Sequence, residues 1–279
     1  MVQRNLDYRL LKDRRNEYGI SQNKLATACG LSRPYLNQIE NGGVTASTKT
    51  MRKIFNQLES FNPDLPLSLL FDYVRIRFPT TDARKIIQEI LHLKFDYMLH
   101  EDYAFYSYQE QYVMGDIVVM LSHEEDKGVL LELKGRGCRQ FETFLLAQKR
   151  SWYDFFEDCL KAGGVMKRLD LAINDLVGLL DIPDLTKKCQ KEECISLFRT
   201  FKSYRSGELL KADEKDGMGN TLYIGSLKSE VYFCLYEKDY EQYIKLGIPL
   251  DKTETKNRFE IRLKNDRAYH AIQDLLKGR

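Results

Sequence analysis

Four short segments of this 279-residue chain set reactive side chains on a period of two. In RLDLAIND (168–175), Leu169, Leu171 and Ile173 alternate with Arg168, Asp170, Ala172 and Asn174. RFEIRLK (258–264) sets Phe259, Ile261 and Leu263 against Arg258, Glu260, Arg262 and Lys264, and VYFCLYEK (231–238) sets Val231, Phe233 and Leu235 against Tyr232, Cys234, Tyr236 and Lys238. In TLYIGS (221–226), Leu222 and Ile224 face away from Tyr223, and Gly225 leaves room for a backbone or a phosphate to approach. Such alternation predicts strands with one core face and one polar face. If the strands are neighbours, Asp170 and Glu260 meet on a surface lined with Arg and Lys. Two carboxylates on rigid strands suit a hard divalent cation, Mg²⁺ or Mn²⁺, able to polarise a phosphodiester. A tyrosine oxygen can attack phosphorus and hold it as a phosphotyrosine. Ordinary salt-bridged residues on a solvated sheet face give the same pattern, and 17 tyrosines leave the nucleophile unchosen by composition.

These residues need a scaffold. FDYVRIRF (71–78) alternates as a strand, residues 82–93 have helical spacing, and GDIVVMLS and GVLLELKG read as strands paired around a turn at 123–127. Residues 152–162 and most of 184–204 read as helix, and a last helix starts near Asp266. No internal repeat is visible. The expected fold is α+β: an all-α N-terminal domain over residues 1–60, then a mostly antiparallel sheet with flanking helices over 61–279. FNPDLPL, with two prolines, is the expected linker.

The N-terminal segment carries its own pattern. A charged helix over 9–18 turns Leu10 and Leu11 inward and ends at Gly19; Ser21 and Ser32 are N-caps of two further helices, with Gly30 in the turn between them. In the third helix Leu36 and Ile39 face inward, leaving Arg33, Tyr35, Asn37 and Gln38 outward, with Ser32 at its start. Arg, Asn and Gln read base edges in the major groove, so these five are the candidate DNA contacts. The charge distribution agrees. Residues 1–60 hold ten Lys+Arg against five Asp+Glu, and the remainder 33 against 36.

Other chemistries find little support. The six cysteines form no CxxC pair and read as reduced, buried thiols; the four histidines are isolated, which argues against a His-rich metal site; and no GxxxxGK[ST] loop is present. No leader and no apolar run of membrane-spanning length is seen, so a cytoplasmic protein without membrane insertion is expected.

The segment SQNKLATACGLSRPYLNQIENG resembles the Cro/C1-type helix-turn-helix family. GRGCRQFE (135–142), RLDLAIND, YIGSLKSEVYFCLYEK and RFEIRLK resemble, in this order, the Rep_trans family of DNA strand-transfer enzymes, which includes rolling-circle plasmid initiators and MobT-type relaxases. The resemblance makes Tyr223 the nucleophile and Asp170 and Glu260 metal ligands, with Glu237 a third carboxylate if a bulge turns it. Arg168, Lys238 and Arg262 would then neutralise the scissile phosphate. Leu227 stands where family members often carry a basic residue, which leaves that contact to Lys228. The chain ends inside an expected helix whereas such relaxases continue, implying a shortened member or a fragment.

The activity implied is a site- and strand-specific, metal-dependent nick at an origin of transfer through a 5′-phosphotyrosine. The alternatives are a rolling-circle plasmid initiator with the same chemistry, or a non-enzymatic helix-turn-helix regulator. Implied partners are duplex origin and single-stranded DNA, a helicase and a coupling or accessory protein, with room for a homodimer. One outcome follows for the third helix. Gln38→Ala should weaken binding to the cognate duplex by about 1–3 kcal/mol, the worth of a bidentate base contact. Equal loss on cognate and random duplexes, measured by anisotropy at one salt concentration, would reject base reading by Gln38.

Overall fold

The computed structural model describes residues 8–62, 66–124, 126–205 and 219–278. The chain divides into two compact units, residues 1–65 with 142–152, and residues 66–141 with 153–279. Residues 63–65 of the expected linker lie outside the described residues.

The N-terminal segment of the first unit forms four helices among the described residues: α1 (Tyr8–Glu17), α2 (Gln22–Ala28), α3 (Arg33–Glu40) and α4 (Thr48–Glu59). Ser21, Ser32 and Ser47 cap the last three, each side-chain oxygen accepting a backbone N–H three residues on, at 3.1, 3.3 and 3.1 Å. Each cap satisfies an amide that the helix cannot, worth about 1 kcal/mol. Leu11, Leu25, Ala26, Cys29, Leu36, Ile39, Ile54, Phe55 and Leu58 form the core. Two expectations change. Leu10 is exposed, because α1 offers only Leu11 to the core. Tyr35 is half-buried against the core, because its ring leans back over the preceding turn, whereas Ser32, Arg33, Asn37 and Gln38 stay exposed.

A buried ion pair ties the first helix to the third. The Glu40 carboxylate, almost fully buried, accepts from Arg15 Nε at 2.7 Å, Arg15 Nη2 at 3.1 Å and Gln22 Nε2 at 2.9 Å.

The second unit is built on a ten-stranded sheet in the order β2-β3-β4-β5-β1-β6-β10-β9-β8-β7, with every pairing antiparallel. Its strands are β1 (Leu67–Phe78), β2 (Leu99–Glu101), β3 (Glu110–Met114), β4 (Ile117–Leu121), β5 (Val129–Lys134), β6 (Val165–Asp175), β7 (Phe201–Arg205), β8 (Asn220–Ile224), β9 (Val231–Glu237) and β10 (Asn257–Lys264). The helices that follow β1 in the chain are α5 (Ala83–Lys85, continuing as a π-helix over Ile86–Ile90), α6 (Arg136–Ala147, counted with the first unit from residue 142), α7 (Trp152–Lys161), α8 (Ile182–Gln190), α9 (Lys238–Leu246) and α10 (Asn265–Lys277). Residues 201–204, expected to be helical, belong to edge strand β7, where Lys202 pairs with Tyr223.

The strand order reveals a repeat that the sequence conceals. In each half a long strand is followed by a helix and a four-stranded meander whose last strand returns beside the first: β1 then β2–β5, and β6 then β7–β10. Each half then turns into a helix through a left-handed residue, Gly135 at φ 37° and Asn265 at φ 47°. Three residues on, Cys138 and Ala268 are both fully buried. The two long strands pair at the centre, Tyr73 opposite Asp170.

Smaller differences concern isolated groups. His100 Nε2 contacts Glu110, and His123 Nε2 lies 3.8 Å from the same carboxylate, so these two histidines are not isolated. Cys29, Cys138, Cys159 and Cys234 are buried as expected, but Cys189 is half-exposed and Cys194 exposed, with their sulfurs 3.6 Å apart.

Arg15→Ala strands the Glu40 charge with only Gln22, and removing one partner of such a pair costs about 3–5 kcal/mol. Urea unfolding of the full chain, followed by far-UV circular dichroism, should show an early transition for the helical unit; an unchanged profile would contradict the burial of this pair's charge.

Candidate active site

The alternation expected on four strands is present, but the polar face is not a solvated one. Asp170 and Glu260 are each only 2% exposed, whereas Leu171, Ile173, Phe259 and Ile261 on the other face are half-buried. On that apolar face, Ile182 of α8 packs with Leu222 and Leu235. On the polar face the long side chains form their own cover. Arg168 and Arg262 keep about a fifth of their side chains exposed and lie over carboxylates that keep 3%.

Register explains the grouping. Asp170 of β6 sits opposite Arg262 of β10, which sits opposite Tyr232 of β9; one row away, Glu260 lies opposite Cys234, which lies opposite Tyr223 of β8. Arg168 forks onto Asp170 with Nε at 2.9 Å and Nη2 at 2.6 Å, and stacks over the Tyr73 ring at 4.0 Å. Arg262 forks onto Glu260 at 2.8 and 2.6 Å and also reaches within 3.7 Å of Asp170. Tyr236 donates its hydroxyl to Glu260 at 2.8 Å. Both carboxylates are thus fully engaged and charge-compensated, as burial demands. Burial nevertheless raises the Asp170 carboxyl above its ordinary value, against the pull of Arg168 and Arg262 and with the push of Glu260.

Tyr223 lines a cavity of about 370 Å³ together with Cys234, Tyr236, Glu237, Asn220 and Arg262. The Arg262 guanidinium lies 6.0 Å from the Tyr223 ring centre, and Tyr204 meets that ring edge to face at 5.8 Å. Burial pushes the Tyr223 phenol up to about 12, the Cys234 thiol adds to the rise and Arg262 opposes it. Phenolate is therefore scarce at neutral pH unless a cation or base assists.

Of the residues singled out in the sequence, Tyr223, Arg262, Asp170, Glu260 and Arg168 come together on this face. Glu237 does not join the two carboxylates: its Oε2 accepts from Asn220 N at 2.5 Å and Asn220 Nδ2 at 2.7 Å, and among the described residues no three His, Cys, Asp or Glu converge as metal ligands. Lys238 binds Glu241 and lies 5.4 Å over the Tyr236 ring, and it does not line the cavity. Gly225 does not clear space either. Its φ of +96° needs glycine, and a Cβ there would come within 2.8 Å of Phe198 and 3.2 Å of Tyr232, so the place is already filled.

Sequence reasoning missed Cys234, Asn220 and the brace behind them. Arg258 donates from Nε to Asn174 at 2.7 Å and from Nη1 to Asp72 at 2.9 Å, and Asp72 occupies the irregularity in β1 between Phe71 and Tyr73. The residue types were visible in the alternation; the bulge that turns Asp72 toward Arg258 had no sequence signal.

The raised phenol has a measurable consequence. A group that holds its proton more tightly folded than unfolded contributes stability below pH about 10 and loses it as pH climbs to 12. Wild type should therefore lose more thermal stability than Tyr223→Phe between these values; parallel curves would contradict the burial of the phenol.

Three families match this chain: Helix-turn-helix over residues 11–61, Rolling Circle replication initiation protein N-terminal domain over 68–158, and Replication initiation factor over 164–279. A Bacillus subtilis (strain 168) protein named "Putative DNA relaxase NicK" is 49% identical over 213 residues, covering 76% of this chain. The chain spans 60% of that relative's length. The ImmF control region 10 kDa protein of Bacillus phage phi105 is 49% identical over 45 residues, 16% of this chain and 50% of that protein. The structure of a rolling circle replication initiator protein from Geobacillus stearothermophilus superimposes with a TM-score of 0.64 at 26% identity, over 76% of this chain and 80% of that one. No described helix is long and apolar enough to cross a membrane. The chain therefore carries three successive segments that match Helix-turn-helix, the Rolling Circle replication initiation protein N-terminal domain and Replication initiation factor, and the candidate site lies within the last of them.

Proposed function

We propose that the protein is a site- and strand-specific DNA relaxase, in which the first unit binds duplex DNA beside an origin of transfer and Tyr223 cuts one strand. The observation that carries this reading is the cavity that Tyr223 shares with Arg262, whose guanidinium also holds the buried Glu260 carboxylate. The Tyr223 phenol releases its proton to solvent as its oxygen forms a bond to phosphorus, the bond to the 3′ oxygen breaks, and that oxygen takes up a proton from solvent as the strand leaves. The 5′ phosphate remains on the tyrosine, so the energy of the phosphodiester is conserved for rejoining. Arg262, whose guanidinium stays charged at any working pH, faces the phosphate's developing charge. Arg168 contributes through Asp170, which it orients.

Metal dependence belongs to the same proposal. The donor set fits a hard cation: two carboxylates on adjacent strands, without sulfur or imidazole, whose negative charge is balanced in this structure by guanidinium. Asp170 and Glu260 would hold the ion, which when bound supplies Lewis-acid polarisation of the phosphate. A helicase, a coupling or accessory protein and a second copy of the chain are the partners this role calls for.

An initiator of plasmid rolling-circle replication would use the same chemistry, and the likeness to a replication initiator structure favours it. A nick confined to a conjugative origin, rather than to a replication origin, separates the two. Supercoiled origin DNA with Mn²⁺ should yield nicked circles with protein attached, and the adduct should be absent from Tyr223→Phe while duplex binding survives. Mass spectrometry should find the nucleotide on the Tyr223 peptide. Nicking in excess EDTA would remove the metal from the scheme, and duplex binding with no adduct would leave a helix-turn-helix regulator.

A further inference from the structure

Far from Tyr223 along the sheet, the loop between β2 and β3 carries aromatic rings in solvent. Tyr103 and Phe105 are each 60% exposed, and Tyr106 is half-exposed beside them. The loop is held open rather than collapsed. Tyr106 and Ser107 adopt left-handed backbone at φ 59° and 63°, a conformation that non-glycine residues take up singly and at a cost. Lys127 Nζ donates to Ser107 O at 3.3 Å, and Tyr106 donates its hydroxyl to Glu132 at 3.1 Å. Arg75 lies 4.9 Å over the Tyr106 ring and Lys134 6.0 Å, the latter with half its side chain in solvent; the two share the single buried Glu132 carboxylate at 3.7 and 2.7 Å, so that one positive charge is left uncompensated between them. A strained, braced loop presenting apolar rings beside cations is built for a ligand with flat apolar faces and negative charge.

We propose that this loop is a stacking platform for unpaired nucleotides, Tyr103 and Phe105 taking base faces while Arg75 and Lys134 take phosphates. Exposed aromatics next to a cationic track are the features by which single-stranded nucleic acid is held without reading its sequence. The geometry connects the platform to the nucleophile. Arg75, Arg168 and Lys264 form one row across the sheet on the face that carries Asp170 and Tyr223. From β8 to β5 there are five strand spacings, roughly 24 Å, a span of a few nucleotides. The repeat gives this half its role: counted from Gly135 and Asn265, the positions matching Tyr223, Cys234 and Glu260 are Gln111, Met120 and Leu130, so the first half has no nucleophile and is free to hold the strand.

The connection to Tyr223 rests on the relaxase reading; the platform itself does not. The test uses the full chain and a fluorescent oligothymidylate of about 16 nucleotides, long enough for one such site. Tyr103→Ala with Phe105→Ala should bind it at least tenfold more weakly, with unchanged thermal stability and unchanged affinity for blunt duplex. Phe105→Leu should lose affinity and Phe105→Trp should keep it, since stacking needs a π face. Wild-type affinity in the double variant, or full affinity in Phe105→Leu, would overturn the platform, the latter pointing to an apolar protein contact. Adduct formation by Tyr223 is scored separately on the same proteins: at saturating DNA the double variant should match wild type. Platform-dependent binding without any adduct in wild type would sink the relaxase reading alone.

Discussion

Two carboxylates buried on a sheet face set the terms for the rest of the second unit. Asp170 and Glu260 cannot remain charged at 2% exposure without partners, and the partners come from two positions along their own strands: Arg168 for Asp170 and Arg262 for Glu260. This self-pairing along a strand keeps each guanidinium above its carboxylate, so the face shows solvent a cationic layer with an anionic one beneath. That layering suits a phosphate ligand, whose approach meets arginine first. It also ties the site to the fold, since β6, β10, β9 and β8 must hold their register for Arg262, while it binds Glu260 on its own strand, to reach Asp170 and the Tyr223 ring together.

The repeated topology shows how such a face becomes wide enough for a substrate. Pairing of β1 with β6 at the centre joins two meanders into one antiparallel sheet, and the polar rows continue across the joint through Arg75 opposite Arg168 and Tyr73 opposite Asp170. The two halves carry opposite charges at matching places. Where the second half has Asp170 opposite Arg262, the first has Arg75 opposite Glu132. The exchange keeps the ion pair, while the places that match Tyr223, Cys234 and Glu260 hold Gln111, Met120 and Leu130.

The helical unit makes its own contribution through a different constraint. Its core is small, and the Arg15–Glu40 pair with three serine caps supplies order that so few apolar side chains cannot. Ser32, Arg33, Asn37 and Gln38 remain in solvent on α3, although Asn37 Oδ1 already accepts from Gln22 and Asn41, which leaves its amide as the group able to reach outward.

What the sequence determined by itself was local. Serine caps, the glycine in the turn and the strand alternation that puts Asp170 and Glu260 each on the polar face of its own strand depend on neighbours within a few residues, where covalent geometry fixes which side chains share a face. Tyr223 was chosen by resemblance, because no local rule separates it from 16 other tyrosines. The tertiary structure decided everything that depends on register between distant strands. It buried a face that looked solvated, turned Glu237 toward Asn220, gave Lys238 to Glu241, filled the space beside Gly225 with Phe198, and made a strand of residues 201–205 by pairing them with β8. It also exposed a repeat that the amino acids do not show. A backbone hydrogen-bond ladder constrains strand order and pleat but tolerates almost any side chain on a given face, so the two halves share an architecture while carrying different residues.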